Sequence, residues 1–141
     1  MSTQIKEITP QQAWDILRTD PQAVLLDVRS RFEYEYVGHP TGSVNVPWQE
    51  VPDWKVEPEF VSKVKERLAA LTENGNTPDT LTILALCRSG KRSMDAGLKL
   101  ASSGFINVIN IAEGFEGPLD GNGHRSKRGG WRYHGLPWKQ G

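Results

Sequence analysis

The run Leu81-Thr82-Ile83-Leu84-Ala85-Leu86 is apolar at all but one position and stops abruptly at Cys87. It is too short for an ordinary helix and lacks the alternation of a half-exposed strand. It therefore reads as a strand covered on both faces, the pattern of parallel sheets. Ala23-Val24-Leu25-Leu26-Asp27-Val28 repeats that pattern, with one acid near its end, and Phe105 to Ile111 gives a third such strand. Helical signals lie between them. Thr9 is a candidate N-cap, Pro10 suits the first helical position and Gln12 completes a capping box. Ala13, Trp14, Ile16 and Leu17 then supply a buried stripe. Phe60, Val64, Leu68 and Leu71 recur at helical spacing, which predicts a helix over 58–73. After Cys87, Met94, Leu98 and Ala101 mark a helix face that Gly104 closes. A short helix over 32–37 ending at Gly38, a short strand at Asn45-Val46-Pro47 and a loop over 74–79 complete the reading. Strands alternating with helices in 141 residues predict one α/β domain over 1–141, with a central, mainly parallel sheet flanked by helices on both faces.

Two further segments stand out. Residues 117–130 hold five glycines and one proline together with His124, Arg125, Lys127 and Arg128. That composition predicts a basic surface loop. It follows the third strand, where it can reach the rim that carries Cys87, to screen anions or dock a partner, although a solvated loop is the plainer expectation. Trp131, Tyr133, Leu136 and Trp138 are expected to anchor the C-terminus on the core.

The charges balance at 17 Lys+Arg against 17 Asp+Glu, but unevenly: 8 basic and 13 acidic residues precede Cys87, and 9 basic and 4 acidic residues follow it. A neutral total argues against a nucleic-acid partner, while local positive charge still attracts a small anion. No apolar stretch reaches the roughly 20 residues of a membrane span. The start, Met1 to Glu7, has no apolar secretory segment, so a cytoplasmic protein is expected. A lone cysteine excludes an internal disulfide and a Cys-rich metal site.

The chemistry concentrates at Cys87-Arg88-Ser89-Gly90-Lys91-Arg92. Ligands of parallel α/β sheets bind beyond the C-terminal strand ends, where Cys87 stands. A loop from strand to helix can curl its N–H groups into an anion-holding cup, reinforced by the positive end of the next helix. Gly90 supplies the backbone freedom for the curl. Arg88, Lys91 and Arg92 add positive charge. All three influences favour a nucleophilic thiolate over a core cysteine.

The sequence resembles the rhodanese (sulfurtransferase) family in its single-domain form. Three stretches carry the resemblance: Leu25-Leu26-Asp27-Val28-Arg29 with Glu33-Tyr34; Gly38 to Pro47, close to the family's Gly-His-Ile-x-Gly-Ala-x-Asn-Ile-Pro; and Cys87 to Ser93 with Gly97 and Glu113-Gly114-Phe115. Pro40 and Ser43 stand where isoleucine and alanine are usual. The resemblance implies that Cys87 takes a sulfane sulfur from a donor such as thiosulfate and passes it, through a persulfide, to cyanide or a thiol. It implies that Arg88, Ser89, Gly90, Lys91 and Arg92 bind the donor. Asp27 and Arg29 fall where the family keeps an acid–base pair, read as orienting or structural; the plain alternative is a partly exposed ion pair worth about 0–1 kcal/mol. No cofactor, metal, membrane or nucleic acid is expected, and a monomer is. Partners would be a small anionic donor and a thiol or cyanide acceptor, with a protein that receives the sulfur as a further option.

Other readings compete. A binding module, or a carrier serving one protein partner, would use the same fold. A cysteine phosphatase or arsenate reductase shares the cysteine-in-a-cup logic but places an arginine six positions on, where this chain has Ser93. A redox role lacks a resolving cysteine. His39 reads as a turn histidine bonding backbone, and His124 and His134 have no carboxylate or thiol at ligand spacing. Trp14, Trp48, Trp54, Trp131 and Trp138 are too dispersed for a nucleic-acid stacking platform and read as packing.

Overall fold

The computed structural model describes residues 5–72 and 77–141; Met1 to Gln4 and half of the expected loop over 74–79, with the last residue of the expected helix over 58–73, lie outside the described residues. In chain order the elements are β1 (Lys6–Ile8), α1 (Pro10–Thr19), β2 (Ala23–Asp27), a π-helical turn (Glu33–Val37), β3 (His39–Pro40), β4 (Val44–Asn45), β5 (Gln49–Glu50) and β6 (Lys55–Val56). Then follow α2 (Phe60–Ala69), a 3-10 turn (Pro78–Thr80), β7 (Thr82–Leu86), α3 (Lys91–Ser102), β8 (Asn107–Ile111) and β9 (Trp138–Lys139).

The central sheet has the order β1-β8-β7-β2-β4, and every pair in it is parallel. The apolar runs explain this. β7 and β2 are central and covered twice, so successive side chains feed opposite cores. Val24, Leu26 and Ile83 pack with Phe60, Val64 and Leu68 of α2 and Ala96 and Leu100 of α3. Leu25, Leu84 and Leu86 pack on the other face with Ala13 of α1, Phe115 and Trp131. Helices thus lie on both faces.

Thr9 and Gln12 cap α1 reciprocally: the Gln12 N–H donates to Thr9 Oγ1 at 3.2 Å and the Thr9 N–H donates to Gln12 Oε1 at 2.9 Å. The segment over 32–37 is helical, as expected, and Gly38 ends it in a left-handed conformation. The short strand expected at Asn45-Val46-Pro47 is instead Val44–Asn45, so Val46 and Pro47 lie beyond it.

Two expectations need correction. The inward face of α3 is Ser93, Ala96, Gly97 and Leu100, not Met94, Leu98 and Ala101. Small residues let the helix approach the sheet; a Cβ on Gly97 would meet Ile5 Cδ1 at 2.5 Å and Val108 Cγ1 at 3.3 Å. The C-terminal aromatics also divide. Trp131 is fully buried, whereas Tyr133 and Trp138 stay substantially exposed. Trp138 nevertheless packs edge-on to Phe115, and its strand β9 pairs with β3.

Candidate active site around Cys87

Cys87 follows β7 directly and is buried. The expected connection over 87–92 is shorter than that: Gly90, at φ 114°, caps α3, and Lys91 and Arg92 already belong to its first turn. One backbone donor and one hydroxyl stand at the sulfur. The Gly90 N–H donates to Sγ at 3.1 Å, and Ser93 Oγ lies 3.3 Å from it. The 12-residue helix α3 also directs the positive end of its dipole toward this corner.

The loop is held from behind. The N–H groups of Phe115, Glu116 and Gly117 donate to the carbonyls of Cys87 and Arg88 at 2.8, 2.9 and 3.2 Å. This contact requires glycine at 114. Its φ is +65°, and a Cβ would stand 2.5 Å from Cys87 O and from Arg88 C.

The predicted cations separate into two kinds. Arg88 and Lys91 are exposed and, among the described residues, make no side-chain hydrogen bond or ion pair. Arg92 instead makes a two-pronged contact with Glu33, at 2.7 and 2.9 Å, in a mostly buried pair. Burial pushes the Glu33 carboxyl up, but the bonds and charge of Arg92 and the contacts from Ser30 outweigh it and hold it below its ordinary value. Burial likewise opposes the Arg92 charge, and Glu33 more than offsets it, so Arg92 is raised. Ser89 is exposed.

Asp27 and Arg29 form a fully buried pair, at 2.7 Å between Arg29 Nη2 and Asp27 Oδ2, and not a surface contact. Arg29 also donates to Gly38 O at 2.6 Å, and its guanidinium lies 4.5 Å from the Phe115 ring centroid. It thereby ties the β2 end to the residue beside Gly114. Asn45 clamps the same turn, donating to the carbonyls of Asp27 and Arg29. His39 stacks on Tyr34 at 3.7 Å and bonds its carbonyl.

Sequence reasoning missed the role of Ser93 and the polar chain behind it. Ser93 Oγ is 2.5 Å from Asn110 Oδ1, and the Asn110 amide donates to Gly90 O at 3.1 Å and Glu7 Oε2 at 2.9 Å. It also placed no carboxylate beside His134, yet Glu113 Oε1 lies 2.9 Å from His134 Nε2. Among the described residues no cluster of His, Cys, Asp or Glu is arranged to hold a metal ion, and no helix is long and apolar enough to cross a membrane.

The base of the 117–130 loop sits against Arg88, through the Gly117 N–H already described. Arg125 and Ser126 fasten it, donating to Gly117 O at 2.8 Å and, from the Ser126 N–H, to Glu116 O at 2.7 Å. His124, Lys127 and Arg128 remain exposed. A cavity of about 560 Å³ opens beside the Cys87 loop, bordered by Arg88 and Arg92. A larger cleft, about 690 Å³, runs between Arg31, Glu50, Lys55 and Arg67 and touches no residue of that loop.

Residues 9–118 match the family described as Rhodanese-like domain. The chain is 31% identical over 140 residues to the uncharacterized protein RC0915 of Rickettsia conorii, covering 96% of this chain and 98% of that one. It is 28% identical over 112 residues to the thiosulfate sulfurtransferase GlpE of Haemophilus influenzae, covering 79% and 86%. The crystal structure of Rv0390 from M. tuberculosis superposes with a TM-score of 0.83 at 36% identity, covering 99% of this chain and 100% of that one.

Proposed function

The chain belongs to the rhodanese-like domain family, and from that footing we propose that it is a sulfurtransferase working through a persulfide on Cys87. The observation that carries this is the Gly90 N–H aimed at the sulfur, 3.1 Å from Sγ, with the Ser93 hydroxyl at 3.3 Å and its one proton shared with Asn110 Oδ1. Such donors stabilise negative charge on sulfur as it develops, without reorganising. Cys87 attacks the outer sulfur of a donor such as thiosulfate. A new S–S bond forms, the old one breaks, and sulfite leaves with the electron pair. Cyanide or a thiolate then attacks the outer sulfur of the persulfide, and Cys87 departs as thiolate. A formed thiolate needs no general base.

Arg88 and Lys91, exposed beside the sulfur, draw in the anionic donor, and the N–H groups around Ser89 and Gly90 line its cradle. Arg92 acts through Glu33, bracing the start of α3 instead of meeting the donor. The similarity to a thiosulfate sulfurtransferase supports thiosulfate as donor. The phosphatase reading loses support at the same place: Arg92 is committed to Glu33, and the position six after Cys87, where those enzymes place their arginine, is a serine.

The test is a panel on the purified protein: thiosulfate with cyanide, read as thiocyanate, beside an aryl phosphate. Thiocyanate from the wild type and none from Cys87→Ser is expected. Phosphate release without thiocyanate would overturn the reading. Arg88→Ala should raise KM for thiosulfate more than it lowers kcat.

A further inference from the structure

The cavity beside Cys87 is larger than the proposed reaction needs. Its volume of about 560 Å³ falls in the range that holds organic ligands. A thiosulfate or cyanide ion would leave most of it to water, at about 30 Å³ per molecule.

Its wall is apolar. Phe32, Val37, Val51 and Trp54 line it, and Phe32, Val51 and Trp54 remain 59%, 51% and 43% exposed. Trp54 is held there against its own backbone preference. Its φ is 56°, a conformation that costs a side-chain-bearing residue about 1–2 kcal/mol. The β5–β6 hairpin fixes it: the Trp54 N–H donates to Glu50 O at 2.8 Å, and Gln49 Nε2 donates to Trp54 O at 2.7 Å. The Arg92 guanidinium lies 5.6 Å from the indole centroid.

The charged groups at this cavity are mostly satisfied. Glu33 and Arg92 neutralise each other, Ser30 bonds to Glu33, and Glu116 lies 3.9 Å from Arg132. Arg88, next in sequence to the nucleophile, alone brings a charge with no counter-charge among the described residues. The site therefore offers an apolar, aromatic wall and one free cation, carried by the residue that follows Cys87.

We propose that this cavity is the sulfur-acceptor site and takes a small organic thiol with an aromatic or bulky apolar body and one anionic group. The anion sits on Arg88, and the body lies against Phe32, Val51 and Trp54. This rests on the proposed persulfide at Cys87. The acceptor thiol releases its proton to water, and its thiolate attacks the outer sulfur of Cys87–S–S⁻. The S–S bond of the enzyme breaks, its electron pair returns to Sγ as thiolate, and the acceptor leaves as R–S–S⁻. No external oxidant or reductant enters.

The experiment loads the protein with thiosulfate, reads loading by intact mass, and follows sulfur removal by 2-mercaptoethanol, phenylmethanethiol and 4-(mercaptomethyl)benzoate. Each rate is divided by that thiol's rate with free cysteine persulfide, which removes intrinsic reactivity. The expected normalised kcat/KM is about tenfold or more higher for the benzoate than for 2-mercaptoethanol, as a buried ring contact and a charge contact allow, with phenylmethanethiol between. Trp54→Ala should erase most of that ratio and Trp54→Phe retain it. Normal loading with equal normalised rates for all three thiols overturns the acceptor site alone. No loading from any sulfane donor overturns the sulfurtransferase reading and this one with it.

Discussion

Gly114→Ala is the substitution whose cost the structure specifies most fully. Gly114 has φ +65°, and its new Cβ would stand 2.5 Å from Cys87 O and Arg88 C and 2.6 Å from Arg88 O. The left-handed conformation costs about 1–2 kcal/mol for a residue with a Cβ. Forcing an atom into packed backbone adds about 1–3 kcal/mol. Gly42→Ala is the matched control. Gly42 has φ +83° and nothing within 4 Å of the added carbon, so only the conformational part applies. Urea unfolding should then place Gly114→Ala below Gly42→Ala by about 1–3 kcal/mol, or, at about 3 °C per kcal/mol, by about 3–9 °C in Tm. The strained contact is with the residue that carries the reacting sulfur and its neighbour. A relaxation that shifts the Cys87 and Arg88 backbone disturbs the contact between Sγ and the Gly90 N–H. Thiocyanate formation should therefore fall by more than the loss of folded protein explains, while Gly42→Ala stays active. Equal stability loss in the two variants, or full turnover in Gly114→Ala, would refute the argument that this glycine exists to hold the Cys87 loop.

Three further outcomes follow from the same geometry. Ser93→Ala removes the hydroxyl whose one proton Asn110 Oδ1 and the sulfur share; a full bond to a charged group is worth about 1.5–3 kcal/mol, so kcat/KM should drop by up to about 100-fold, with a modest stability loss from the unpartnered Asn110 oxygen. Asp27→Asn leaves Arg29 charged in a fully buried position and should cost about 3–5 kcal/mol; a change under about 1 kcal/mol would fit the surface-pair reading instead. Glu33 is held below its ordinary value in the folded protein, so its pairing adds stability above the unfolded value of about 4.3 and loses it as pH falls through the lower folded one. Urea midpoints for Glu33→Gln should accordingly lie below wild type at neutral pH and converge with it in acid; a constant gap would count against the ion pair.

What was legible in the chain was what local pattern encodes. The runs at Ala23–Val28 and Leu81–Leu86 announced central strands because burial on both faces leaves no alternation. The capping box announced α1. The change from apolar run to cations and glycine marked the reacting corner. The misreadings have physical reasons as well. Apart from Leu100, the inward face of α3 carries serine, alanine and glycine, which allow closeness to the sheet, and a search for large apolar residues at helical spacing selects the neighbouring stripe. Arg92 looked like a ligand for anions because its neighbours are cations; its partner Glu33 is 59 positions away. Ser93, Asn110 and Glu7 come from three elements, with 103 positions between Glu7 and Asn110; the pairing of β1 with β8 and the packing of α3 on β8 bring them together.

The central claim, that Cys87 carries a transferable sulfur, is tested most directly by intact-mass spectrometry after brief incubation with thiosulfate. The account predicts a gain of one sulfur atom, localised to the Cys87 peptide, absent in Cys87→Ser and removed by cyanide with release of thiocyanate. A folded wild-type protein that gains no mass from thiosulfate or any other sulfane donor, or gains it equally in Cys87→Ser, would contradict it.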